Sequence, residues 1–137
     1  MFRSLVLVLA FAAFLSSPQA ATAQAAHNSS ITPGHLSEEQ KVDRLITYIR
    51  TLEGATFIRN SSEYKPEQAA SHLQSKWRKH SSRVKTAEGF IMQLASESSS
   101  GTPYTIRFKD GTVHTTREVL LQELQRIVGT VEQSSTK

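Results

Sequence analysis

Residues Thr56 to Tyr64, TFIRNSSEY, set two core-type side chains, Phe57 and Ile58, directly before Arg59, Asn60, two serines, Glu63 and Tyr64. A guanidinium, an amide, a carboxylate and a phenol so close in sequence are groups that small ligand sites use to fix orientation beside apolar walls. His72 follows on the next helix, and Arg83 and Lys85 lie beyond it. Arg59, Asn60, Glu63, Tyr64, His72, Arg83 and Lys85 are therefore the candidates for contact with a ligand or partner. The same groups also suit a structural corner. Asn60 or Ser62 can bond to nearby backbone amides, and Glu63 can sit favourably near the N-terminus of the following helix. Arg59, Glu63, Arg83 and Lys85 can form an ion-pair network that ties the corner to a third helix. Scaffolding is the simpler account and a recognition pocket the sharper one.

No motif assigns a reaction. The histidines at 27, 35, 72, 80 and 114 include no pair at the i, i+4 spacing of HExxH, and His72 and His80 are two helical turns apart. There is no GxSxG elbow, and Ser96 to Ser100 fall in a stretch that needs small polar residues to turn. The absence of cysteine removes thiolate zinc sites, cysteine nucleophiles, disulfides and a lipid anchor. No glycine-rich phosphate loop is present. No catalytic residue, metal or cofactor is assigned. A small envelope hydrolase stays open as the alternative, because a Ser/His/acid triad is a tertiary arrangement.

The N-terminus carries an address. Arg3 is followed by the apolar run LVLVLAFAAFL, then Pro18 and small residues around 21–25, the pattern of a cleaved secretory signal. The run is too short for a membrane helix, which needs about 20 residues. Residues 1–23 are expected to be the signal, 24–35 a flexible leader, 36–129 the globular domain and 130–137 a disordered tail. No transmembrane segment is expected once the signal is removed. Export without disulfides favours a bacterial periplasm. The formal net charge of +4 falls to +3 without Arg3 of the signal, an excess that suits an anionic envelope polymer or an envelope protein as partner, and nothing points to nucleic acid. The basic run KWRKHSSRVK, 76–85, fits a solvated helix end, where cations complement the dipole, or a patch for an acidic partner.

The elements that must hold the candidate groups follow from periodicity. Ser37 and Gln40 form a capping box before Val42, Leu45, Ile46, Ile49 and Leu52, a helical stripe that Gly54 can end. Phe57 and Ile58 anchor an extended piece. Pro66 opens a second helix to His80, with Ala69, Ala70, Leu73 and Trp77 on one face. Ser81-Ser82 can cap a third helix, with Val84, Ala87, Ile91 and Leu94 buried and Gly89 interrupting it. After a loop at 96–103, Tyr104, Ile106 and Phe108 alternate with polar residues. Asp110-Gly111 reads as a two-residue hairpin turn that sets Phe108 opposite Val113 and Ile106 opposite Thr115, with Arg107 facing His114 on the other side. Thr115 or Thr116 caps a last helix ending before Gly129. The expected fold is a small α+β domain of about four helices packed with one β-hairpin.

The motifs TFIRNSSEY, EQAASHL, RVKTAEGFI, SSSGTPY and FKDG, in that order, resemble the YfeK-like family of small exported bacterial proteins. The resemblance covers about Leu36 to Val128. It implies a periplasmic address and a shared fold, and supplies neither substrate nor active residue. Where the family pattern has Gly after the Asn, this chain has Ser61, which makes a left-handed turn there less expected. The functional expectation is a non-enzymatic binding or interaction module for an envelope component or protein partner.

Overall fold

The computed structural model describes residues 35–134. The expected signal at 1–23 lies outside them, as do the expected leader apart from His35 and the last three residues of the expected tail. Helix α1, Glu38–Arg50, begins at the anticipated capping box. The Gln40 amide N–H donates to Ser37 Oγ at 3.2 Å and the Ser37 N–H to Gln40 Oε1 at 2.9 Å. Its stripe, Val42, Leu45, Ile46 and Ile49, is buried. Helix α2, Pro66–His80, places Pro66 where no amide hydrogen is needed and buries Ala70, Leu73 and Trp77. The Trp77 ring meets Phe90 edge-on at 5.8 Å, closing the core between α2 and the third helix.

That third helix starts later than Ser81-Ser82 suggests. Residues 81–86 turn away from α2, and α3 spans Ala87–Phe90 before widening into a π-helical turn at Ile91–Ala95. Thr86 is its cap, accepting from the Gly89 N–H at 3.0 Å, while Glu38 reaches across from α1 to accept from the Ala87 N–H at 2.7 Å. Val84 is buried from the loop, not from a helical face. Gly89 now has a reason. A Cβ there would lie 2.9 Å from Thr86 Oγ1 and 3.2 Å from Val84 Cγ1, so the capping turn leaves no room for a side chain.

The chain is α+β, as its sequence indicates, but the sheet is larger than one hairpin. Strands β1, Thr56–Arg59, β2, Ser62–Tyr64, β3, Thr105–Arg107, and β4, Val113–Thr115, form an antiparallel sheet in the order β2-β1-β3-β4. The corner at 60–61 is the two-residue turn of the first hairpin. Asn60 (φ 49°) and Ser61 (φ 65°) are both left-handed, the backbone that matches strand twist in such turns. Ser61 therefore adopts the conformation that glycine would take more readily.

The second hairpin is one residue out of the expected register. Ile106 faces His114, Arg107 faces Val113 and Thr105 faces Thr115. The Phe108 N–H donates to the Thr112 carbonyl at 2.8 Å and the Gly111 N–H to the Phe108 carbonyl at 2.9 Å. With Gly111 at φ 87°, this is a three-residue loop with a bulge, not a two-residue turn. The slip moves Val113 to the outer face, where it is 54% exposed. His114 instead stacks edge-on against Phe108 at 5.9 Å.

Strand alternation sorts the sheet into two faces. Phe57 and Ile106, paired across β1 and β3, are buried against the helices, whereas the outward set that includes Thr56, Ile58, Glu63 and Arg107 stays partly or fully exposed. Helix α4, Thr116–Ser134, is capped by Thr115 and Glu118 in a reciprocal box and continues past Gly129. Among the described residues no helix is long and apolar enough to cross a membrane.

Candidate functional site

A cleft opens where the β1–β2 hairpin meets α2. Its walls come from Phe57, Ile58, Arg59 and Tyr64 of the hairpin, from Gln68, Ala69, His72 and Leu73 of α2, and from Tyr104 and Thr116. Gln68 and His72, and likewise Ala69 and Leu73, are four apart on α2 and so present one face. The volume is about 210 Å³ and the lining is mostly apolar. No aspartate or glutamate contributes to it.

Arg59 occupies the inner-face position two residues beyond Phe57, which brings its guanidinium over α2. Nη1 lies 2.7 Å from His72 Nε2, Nη2 lies at a loose 3.5 Å from the Tyr64 hydroxyl, and the guanidinium carbon stands 5.3 Å from the Tyr64 ring centre. A guanidinium only donates, so His72 Nε2 must accept and the ring carries its proton on Nδ1. Partial burial, then the positive charges of Arg59 and Lys76, hold the His72 pKa below the ordinary histidine value. The imidazole is therefore neutral at pH 7.

Lys76, one turn further along α2, donates to the Leu94 carbonyl at 2.6 Å and lies 5.4 Å from the Tyr104 ring centre. Burial and the nearby Arg59 lower its pKa. At the cleft's buried end, Thr116 is 1% exposed and its hydroxyl has no protein partner among the described residues. Leaving such a group unsatisfied costs about 1–3 kcal/mol.

Three of the seven sequence candidates, Arg59, Tyr64 and His72, thus converge. The other four do not. Asn60 is exposed and spends its tolerance for positive φ on the turn. Glu63 points from the opposite face of β2 and pairs with Arg107 at 2.7 Å. Arg83 contacts His80 Nδ1 at 2.9 Å in the loop after α2. Lys85, in the same loop, borders a separate depression that includes Glu39 and Asp43. The expected network of Arg59, Glu63, Arg83 and Lys85 does not form, because alternation turns Glu63 away from Arg59. Lys76 was legible as the next residue on the Gln68–His72 face; Tyr104 and Thr116 arrive from distant segments, and nothing local marks them.

No hydroxyl among the described residues bonds to a histidine ring, and no three of their His, Asp or Glu side chains cluster closely enough to share a metal ion. The arrangement can donate hydrogen bonds and positive charge to a guest resting on apolar walls.

Fold and site together define a small four-helix α+β domain with a four-stranded antiparallel sheet and a cation-rimmed cleft between sheet and α2. The chain belongs to the family of unknown function DUF5329, whose model matches residues 36–128. It is similar to the uncharacterized protein YfeK of Salmonella typhimurium strain LT2, with 37% identity over 68 residues, 49% of this chain and 57% of that protein. The match thus spans little more than half of the relative's length. The YfeK-like resemblance of the motifs is borne out. No solved structure matches.

Proposed function

We propose that this is an exported, non-enzymatic binding module of the bacterial envelope, and that the cleft between the β1–β2 hairpin and α2 is where it engages its ligand or partner. The observation that carries this reading is the convergence of Arg59, Tyr64 and a neutral His72 on apolar walls. A few orienting polar groups on a mostly apolar concavity are the composition of a small-ligand site. The sequence LVLVLAFAAFL and the small residues after Pro18 support export, and a periplasmic address suits a cysteine-free chain. The hydrolase alternative has less support, because the ring nitrogen that would serve as base toward the cleft is occupied by Arg59.

An NMR fragment screen on the chain lacking residues 1–23 tests the site. Amide shifts clustered at 57–59, 64, 68–73, 104 and 116 are the expected result. Shifts centred on the 81–86 loop, or none at all, would reject the cleft. Export is tested separately: a periplasmic extract should yield a product whose N-terminus falls near residues 23–25, and retention of the intact chain in the cytosol would contradict it.

A further inference from the structure

Three guanidiniums have contrasting partners. Arg107 is paired with Glu63 and Arg126 with Glu123. Arg59, half-buried at the cleft, meets an imidazole and a phenol and, among the described residues, no carboxylate. The acid nearest to it in β2, Glu63, is turned through the sheet. A planar fork of donors in an acid-free apolar cleft is half of a bidentate carboxylate site.

We propose that the cleft takes a small organic monoanion, a carboxylate on a compact apolar body of one ring or a short branched chain, with the carboxylate on Arg59 and the apolar body between Phe57 and Leu73. This rests on the reading of the cleft as the ligand site. Size fixes the body: a dry cavity of about 150 Å³ admits benzene, and about 210 Å³ leaves room for one ring with a carboxylate. Charge fixes the head group. Lys76 adds a second cation behind His72 and no acid lines the walls, so the charged groups at the cleft favour an anion over a cation. Thr116 adds an independent pointer, since this residue borders the same space and its buried hydroxyl has no protein partner among the described residues. A hydroxyl or keto oxygen on the inner end of the ligand would satisfy it.

The test titrates the chain lacking residues 1–23 with sodium benzoate and, separately, with isosteric neutral benzamide, following amide shifts by NMR. Benzoate should move the cleft residues and bind at least tenfold more tightly than benzamide. Arg59→Met should abolish that preference, and Arg59→Lys, which keeps the charge but loses the fork, should retain part of it. Dispersed spectra of both variants confirm that they fold. Thr116→Val should weaken 4-hydroxybenzoate more than benzoate. Equal binding of benzoate and benzamide, or a benzoate affinity unchanged in Arg59→Met, overturns the proposal while leaving the cleft as a site for neutral guests. Failure of both probes and of every neutral fragment to reach the cleft overturns the proposal and the underlying reading together.

Discussion

Arg59 and Arg107 sit on neighbouring strands of one sheet and have opposite fates. Arg107, on the outer face, pairs across β1 with Glu63 at 2.7 Å, both side chains in water. Arg59, on the inner face, is held against His72 and Tyr64 beside an apolar cleft, with no ion pair to an acid among the described residues. The difference comes from alternation: in Ser62–Tyr64, Glu63 must point away from the side that Tyr64 occupies. An exposed ion pair is worth about 0–1 kcal/mol, so the outer face is a closed and inexpensive arrangement. The inner face holds a guanidinium bonded to neutral groups, and that is where we propose that a guest is recognised.

The largest effect is expected from removing the inner face itself. Phe57 is 6% exposed, and Phe57→Ala should cost about 3–5 kcal/mol in urea unfolding; a loss below about 1 kcal/mol would mean that the hairpin does not pack on α2. A middle-sized effect of opposite sign belongs to the turn joining the two faces. Ser61 holds φ 65°, and Ser61→Gly should raise stability by about 0.5–1 kcal/mol and increase Tm. A fall in Tm would show that position 61 does not need the left-handed backbone. The smallest effect lies outside. Glu63→Gln should change stability by less than about 1 kcal/mol and leave benzoate binding at Arg59 unaltered, whereas a loss of binding would join the two faces that the sheet separates.

Much of this was legible in the residues. The capping box at Ser37, the buried stripe of α1, the span of α2 and the Thr115–Glu118 cap all depend on local chemistry, and local chemistry is what a sequence displays. In the sequence the β1–β2 hairpin shows only as an extended piece and a corner, because Asn60-Ser61 lacks the glycine that announces such a turn. The second hairpin slipped by one residue because Asp110-Gly111 suits both a two-residue turn and a three-residue loop with a bulge, and hydrogen bonding at Phe108 and Thr112 decides between them. Ser81-Ser82 suggests too early a start for α3, whose N-terminus is capped by Thr86 and completed by Glu38 from another helix. Arg59, Tyr64 and His72 stood out by type, but their separation from Glu63 is a consequence of strand parity, which required the hairpin to be known. Tyr104 and Thr116 reach the cleft through tertiary contact alone.

The charge imbalance of the inner face can be read from His72. Its pKa is lowered in the folded chain, so the folded state binds fewer protons there than the unfolded state as pH falls below about 6.5. The associated stability is fully present above the unfolded value and is lost as pH falls through the folded one. Solvent at the exposed edge of the ring softens the effect. The most direct measurement is the NMR titration of the His72 imidazole in the wild-type chain and in Arg59→Met. The account predicts a wild-type ring that is neutral at pH 7, protonated on Nδ1 and titrating below the ordinary histidine value, with a pKa that rises in the variant. A His72 that titrates at or above the ordinary value, with no response to the loss of Arg59, would contradict it.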